Sequence, residues 1–377
     1  GRMDCIAVAG ACSYEEEMTN YANWYAYYRT RMQMMKTSVG QAFLPLNTDY
    51  RLGFTTINNT DFSGTSNDRW LALADLDNSQ KQSWYGKLYT QSPSGSTPLR
   101  NALDRMGQLY EGTLSGAPDP IQFSCQQNFT ILTTDGYWNQ SFTGYGDQDN
   151  SNTSSDEHDF PLCNRSNGCY DGNLGGGSAN SLADVALYYY KRDLRPSLTD
   201  NVFSSTSDPN TAQHMTTFTI GLGVDGVMTF REDYATATAG DFYHIRTGST
   251  NPVDRSSCPW QAAGTVCNWP VPAADTETAV DDLWHAAVNG HGTYFSAKDP
   301  ESMARGLANA LNNLKVRNGA ASASATSTPN VTKDDNDIFS ATFRTVKWDG
   351  ELVAQKIDPA TGNLIPAVTW QAQALLD

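Results

Sequence analysis

Two oxygen-bearing side chains in this 377-residue sequence, Thr97 and Asp135, stand where a hard divalent cation could be held. Asp135 directly follows the apolar run NFTILTT (128–134), which reads as a buried parallel strand. Thr97 precedes PLRNALDRM as a natural N-cap, with Pro98 at the first helical position. In an open α/β sheet, ligands bind beyond the carboxyl ends of the strands, near the point where strand order reverses. Carboxylate and hydroxyl oxygens are what Mg²⁺ or Ca²⁺ takes. A strand-end aspartate and a capping threonine also have structural uses, so these two residues alone leave the choice open.

Other constellations each have a plainer explanation. Asp281, Asp282 and His285 share a helical face, as a metal or acid–base cluster would, but the first turn of a helix attracts carboxylates in any case. A carboxylate pair drawn from Asp135, Asp281 or Asp282 would suit a secreted hydrolase, yet no spacing here specifies the divergent environments such a pair needs. Asp147, Asp149 and Ser151 begin like a calcium loop, but glycine at the sixth position and glutamate at the twelfth are absent. The five histidines show no HExxH pattern, GNLGGGS lacks the lysine of a phosphate loop, and no GxSxG occurs.

Composition sets the compartment and the class. A net charge of −16 repels phosphate backbones and excludes nucleic-acid binding, and no apolar run reaches the length of a membrane span. Six of the seven cysteines form close pairs, Cys5 with Cys12, Cys163 with Cys169 and Cys258 with Cys267, none at CxxC spacing. Disulfide stapling and an oxidising, extracytoplasmic compartment follow, with free thiols as the alternative. Cys125 is left to pair with Cys5 or Cys12 after reshuffling, to pair outside this chain, or to stay free. The chain begins at Gly1 with no signal segment and reads as a processed product or an excerpt of something longer.

The elements that must position these residues are read from periodicity. Residues 13–43 are expected to form one long amphipathic helix opening on a Ser13/Glu16 capping box. A strand at 51–57, a polar loop, a helix around Trp84 and the helix after Thr97 follow. Then come the strand before Asp135, a hydrophilic insertion at about 140–180, a helix at 182–194 and a strand at 215–222. A stapled polar loop (232–275) and helices at 279–288 and 300–316 complete the series. This alternation gives an α/β fold with a doubly wound, mostly parallel Rossmann-type sheet and long disulfide-stapled insertions. Residues 318–330 read as a linker, and 331–377 as a β-rich segment with a turn at Asp349-Gly350.

The strings GSTPLRNAL and FTILTTDGYWN resemble the second and third metal-site loops of von Willebrand factor A domains. More broadly, NYANWYAYYRTRMQMMKTSVGQAF, STPLRNALDRMGQLY, SLADVALYYYKRDLRP, TFTIGLGVDG, DDLWHAAVNGHGTYFSAKDP and the WDGEL segment resemble, in that order, the PilY/PilC family of type IV pilus tip-associated proteins. The resemblance implies an A-type domain over 1–317 followed by the start of a β-propeller. It also implies a non-enzymatic role in adhesion and pilus assembly, with minor pilins and a host or abiotic surface as partners, and a metal-ion-dependent adhesion site matched here by Thr97 and Asp135. The DxSxS loop of such domains is missing from its place. Asp61, Ser63 and Thr65 imitate it but follow the wrong strand, and are read as a loop decoy.

The first strand of an A domain lies mid-sheet, in the order 3-2-1-4-5-6, so omitting it leaves two inner edges with unpaired backbone groups. An upstream segment of the same polypeptide is expected to supply that strand and most metal ligands. The rival is that CIAVAGAC (5–12) is itself the strand, which would put Ala9, Ala11 and Ser13 at ligand positions and leave a degenerate site in a structural spacer. Thr97 and Asp135 should meet at one end of the sheet, with the strand before Asp135 inside it.

Overall fold

The structure is a computed structural model that describes residues 5–6, 11–64, 67–149, 178–204, 208–297, 302, 304–309, 311, 320–326, 337–344, 349–358 and 364–376. It divides into two compact units, Gly1–Leu311 and Asn312–Asp377.

The first unit opens with α1 (Tyr14–Tyr27) and α2 (Arg31–Phe43) rather than one helix. The Ser13/Glu16 capping box is present, and a second box, in which Thr30 accepts from the Gln33 N–H, restarts the chain after Tyr28. Thr30 is extended, with φ −117° and ψ 154°, so the helix cannot run through it. α2 buries Met34, Val39 and Phe43, whereas α1 buries nothing and leaves Tyr21, Trp24 and Tyr25 about half exposed.

β1 (Arg51–Thr55) pairs antiparallel with β2 (Trp70–Asp75), with an irregularity between Leu52 and Phe54. β2 lies in the stretch read as a polar loop. Its WLALAD core alternates weakly, and the Asn, Asp, Ser and Gly around it masked the signal. α3 (Asn78–Thr90) covers this pair through Trp84, whose ring stacks on Phe43 at 4.9 Å.

The second sheet is parallel. β3 (Asn128–Thr134) pairs in register with β4 (Met215–Leu222), from Asn128↔Met215 to Thr134↔Gly221, and β4 pairs with β5 (His291–Ala297). Every residue of β4 is buried, as a central strand covered on both faces requires. Among the described residues the expected single doubly wound sheet is therefore found as two sheets, β1-β2 and β3-β4-β5, with the strand before Asp135 at an edge rather than inside. The physical reason is that no described strand pairs the β1-β2 sheet to β3.

One helix lies over both sheets. On α4 (Leu99–Glu111), Leu109 packs with Phe62 and Trp70 of the antiparallel part, while the neighbouring Tyr110 hydroxyl donates to the Phe129 carbonyl of β3 at 2.8 Å. α5 (Leu182–Lys191) and α7 (Thr278–Asn289) are almost wholly buried against the parallel sheet. The stretch 232–275, read as a polar loop, contains α6 (Asp241–Thr247) and sends Phe242, Ile245, Cys258, Cys267 and Trp269 into the main core. Trp269 and Trp284 meet at 5.6 Å there. Residues 304–309 are helical; Met303, Ala310 and Leu314 of the helix read at 300–316 lie outside the described residues.

The second unit is a four-stranded antiparallel sheet of β6 (Ala320–Thr326), β7 (Asp337–Arg344), β8 (Asp349–Ile357) and β9 (Leu364–Gln371), closed by a short helix, Ala372–Leu376. β6 occupies the segment read as a linker. Its small alanine, serine and threonine side chains look like spacer composition but pair residue by residue with β7.

Candidate functional site

The carboxyl ends of β3 and β4 face the amino end of α4, and this is where the two expected ligands fall. Helix α4 begins at Leu99, with Pro98 as its cap residue and no side-chain capping bond, so the Thr97 hydroxyl is not used as an N-cap. Thr97 is held by main-chain contacts instead: its N–H donates to Asn139 Oδ1 at 2.8 Å, and its carbonyl accepts from the Asn139 N–H at 3.3 Å. Those bonds join the loop before α4 to the loop after β3. A methyl group placed on Gly136 would sit 3.9 Å from Thr97 Oγ1, so Thr97 lies against the residue that follows Asp135.

Asp135 is exposed, and its neighbour is a cation from this chain. Arg31, the first residue of α2, donates to the carbonyls of Asp135 (3.0 Å) and Gly223 (3.2 Å), with its guanidinium 3.9 Å from Asp135 Oδ2. One hydroxyl and one carboxylate are fewer oxygens than the six or more a hard cation takes. With Arg31 supplying positive charge beside them, Thr97 and Asp135 do not form a sufficient metal site on their own.

The buried carboxylates of α7 hold the framework of this site. Asp282 accepts from Trp138 Nε1 at 2.8 Å and from the first N–H groups of α5, Leu182 at 2.9 Å and Ala183 at 3.1 Å. It thereby fixes the loop after Asp135 to a helix amino end, where negative charge is favoured. Arg100 lies over the Trp138 ring at 3.8 Å. Asp281 accepts from the Val227 and Met228 N–H groups at 2.9 and 3.1 Å. His285 stacks on Trp269 at 4.5 Å. Asp135, Asp281 and Asp282 thus serve three different places and form no common carboxylate pair. Asp61 accepts from the Ser63 N–H and hydroxyl at 2.9 and 2.6 Å, a local turn, and Thr65 lies outside the described residues.

Burial sets the protonation of these groups. It raises Asp281 and Asp184 to about 7 and Asp282 to about 6, against the hydrogen bonds that favour their anions, and lowers His285 to about 3. A carboxyl with a raised folded-state pKa contributes stability that is full below its unfolded value near 4 and is lost as pH rises through the folded value. His285 has the opposite sign, costing stability as pH falls below about 6.5. In chelator-containing buffer the thermal midpoint should therefore rise as pH is lowered from about 7 to about 4, with His285 offsetting part of the rise below about 6.5. Asp281→Asn should remove roughly half of that rise. A midpoint that falls over the same interval in calorimetry contradicts the assignment.

A third acidic group was only half legible. Asp147, Asp149 and Asp184 bring carboxylate oxygens within 4.8 Å of one another and could hold a metal ion; Asp149 and Asp184 are buried. Ser151, the third residue of the calcium-loop-like start that the sequence does not complete, lies outside the described residues. Asp184, 35 residues beyond Asp149, replaces it, and its sequence signal was the Ser181/Asp184 capping box at the start of α5.

Two of the expected disulfides, Cys5–Cys12 and Cys258–Cys267, are formed, and Cys125 is a half-buried free thiol. Cys163, Cys169 and Ala9 lie outside the described residues, as does most of the rival strand within CIAVAGAC.

No protein-family model matches the chain. It is similar to the type IV pilus biogenesis factor PilY1 of Pseudomonas aeruginosa strain UCBPP-PA14, at 29% identity over 95% of this chain and 31% of the relative. The PilY1 of strain PAK is 27% identical over 99% of this chain and 32% of its own length. The chain thus spans about a third of these relatives. It is PilY1-like along nearly its whole length, and the relatives' names denote a biogenesis factor rather than an enzyme. A solved structure of the pilus adhesin SpaC from Lactobacillus rhamnosus GG aligns over 86% of this chain and 34% of its own, with a TM-score of 0.34 and 14% identity. No described helix is long and apolar enough to cross a membrane.

Proposed function

We propose that this chain is the A-type region of an extracytoplasmic type IV pilus factor that acts without turnover in pilus assembly and in adhesion at the pilus tip. The observation that carries this reading is the similarity to PilY1 proteins over 95–99% of the chain. Two features support it. The formed disulfides suit an oxidising compartment, and the Thr97 and Asp135 loops are joined at the carboxyl ends of parallel strands, where this class of sheet binds ligands. The partners are then minor pilins and a host or abiotic surface.

The finer part of the proposal concerns the sheet edge. Among the described residues β3 ends the parallel sheet, on the side where an A domain has its first strand. A segment of the same polypeptide outside residues 1–377 would add to that edge, complete one sheet from the two, and bring the remaining oxygens. Thr97 and Asp135 would then hold Mg²⁺ or Ca²⁺ with those oxygens once Arg31 withdraws. The second unit, Asn312–Asp377, begins a β-propeller on this reading.

Deleting the gene from its source bacterium tests the function. Surface pili and surface attachment should be lost, and both should return with the full-length protein. Normal piliation and attachment in the deletion strain would overturn the proposal.

A further inference from the structure

The Asp147/Asp149/Asp184 group shares no residue with the Thr97 and Asp135 loops and does not depend on the adhesion reading. Asp147 and Asp149 come from the loop after Tyr145, and Asp184 from the first turn of α5. Asp184 is already tied to both segments: Oδ1 accepts from the Gln148 N–H at 2.6 Å, and Oδ2 from the Ser181 N–H at 2.8 Å and hydroxyl at 2.9 Å. An acidic cluster of this kind can be structural alone, and α7 supplies what separates the two cases.

His285 and Asn289, one turn apart on α7, are 1% and 0% exposed and meet Asp149 from the other side. The Asn289 amide donates to Asp149 Oδ2 at 2.9 Å, while its own Oδ1 has no hydrogen-bond partner. His285 Nε2 is 3.2 Å from the same carboxylate oxygen, yet no hydrogen bond satisfies it. Buried polar atoms without partners are costly and rare. Here two of them belong to side chains that meet Asp149, one carboxylate of the three, which is the arrangement that a cation compensates.

We propose that Asp147, Asp149 and Asp184 bind one calcium-sized divalent cation, with Asn289 Oδ1 as a fourth oxygen and His285 positioning Asp149. Size supports calcium. Oxygen bonds of roughly 2.3–2.6 Å place opposite ligands roughly 4.6–5.2 Å apart, whereas magnesium needs roughly 4.0–4.2 Å. The carboxylate oxygens lie within 4.8 Å of one another, inside the span of the larger ion. The ion would fasten the loop that leads into the 140–180 insertion to the amino end of α5 and to α7, making that surface calcium-dependent.

The test is calorimetric titration of the 377-residue chain with CaCl₂ after chelator removal, comparing wild type with Asp147→Asn, Asp149→Asn and Asp135→Ala. Wild type should bind one Ca²⁺ per chain more tightly than about 1 mM, with Mg²⁺ about tenfold weaker. Asp147→Asn and Asp149→Asn should each weaken Ca²⁺ about tenfold, and Asp135→Ala should leave it unchanged. Asp147 is half-buried rather than buried, so its variant keeps the test valid should Asp149→Asn fail to fold, with folding checked by circular dichroism. No heat up to about 10 mM Ca²⁺, or equal affinity in wild type and Asp147→Asn, overturns the proposal. Loss confined to Asp135→Ala also overturns it, moving the ion to the sheet-end loops.

Discussion

Replacing Asp282 by alanine is expected to lower the unfolding free energy by about 3–5 kcal/mol, the scale for removing one partner of a buried charged network. Three buried donors lose their acceptor at once: Trp138 Nε1 and the Leu182 and Ala183 N–H groups. Each stranded donor costs about 1–3 kcal/mol, and relief of the buried carboxylate's own desolvation offsets part of the sum. Asp282→Asn keeps one acceptor oxygen and should lose less than half as much. Urea denaturation of the two variants checks the ranking. An alanine variant within about 1 kcal/mol of wild type would mean that water replaces the carboxylate, and that the loop after Asp135 is anchored elsewhere.

Gly292→Ala is the second large loss, for a different reason. The register between β4 and β5 shifts between Thr217 and Thr219. There a methyl group on Gly292 would lie 2.0 Å from the Thr217 carbonyl oxygen and 2.6 Å from its carbon. The obstacle is backbone in a fully buried strand, so no rotamer change relieves it, and β5 must part from β4 locally. About 3 kcal/mol is expected, the upper part of the overpacking range. Gly86→Ala is the control: its methyl group meets nothing within 4 Å on an exposed helix position, and the change should stabilise by about 0.5–1 kcal/mol. Equal thermal midpoints for the two variants would refute the close-approach argument.

How far the sequence led depends on how local the cause was. The apolar runs of β3 and β4 are continuous and bounded by glycine or aspartate, and their limits were readable to the residue. β5 escaped because HGTYFSA carries glycine, histidine and serine, and its place is set by the bulged pairing with β4. The break between α1 and α2 had a local sign, Thr30 three residues before Gln33, overridden by an apolar stripe that runs past it. Asp281 and Asp282 satisfy backbone groups of distant segments rather than of their own helical turn, which no local pattern announces. The stretch 232–275 looked polar because its few core residues, Phe242, Ile245 and Trp269, are widely spaced and find one another only in the fold.

The two candidate sites differ in the same way. Thr97 and Asp135 each announce themselves at the boundary of an element, and the structure joins their loops through Asn139. Arg31 beside Asp135 was not foreseeable, since it lies 104 residues away. Asp184 joins Asp147 and Asp149 across an insertion, where no spacing rule applies.

The most direct test of the central claim is surface attachment by cells of the source bacterium whose full-length protein carries Asp135→Ala, against the wild-type protein at equal abundance. The variant is expected to be made and folded, because the Asp135 side chain is exposed, while attachment falls to the level of the deletion strain. Attachment equal to wild type would contradict a functional role for the sheet-end site.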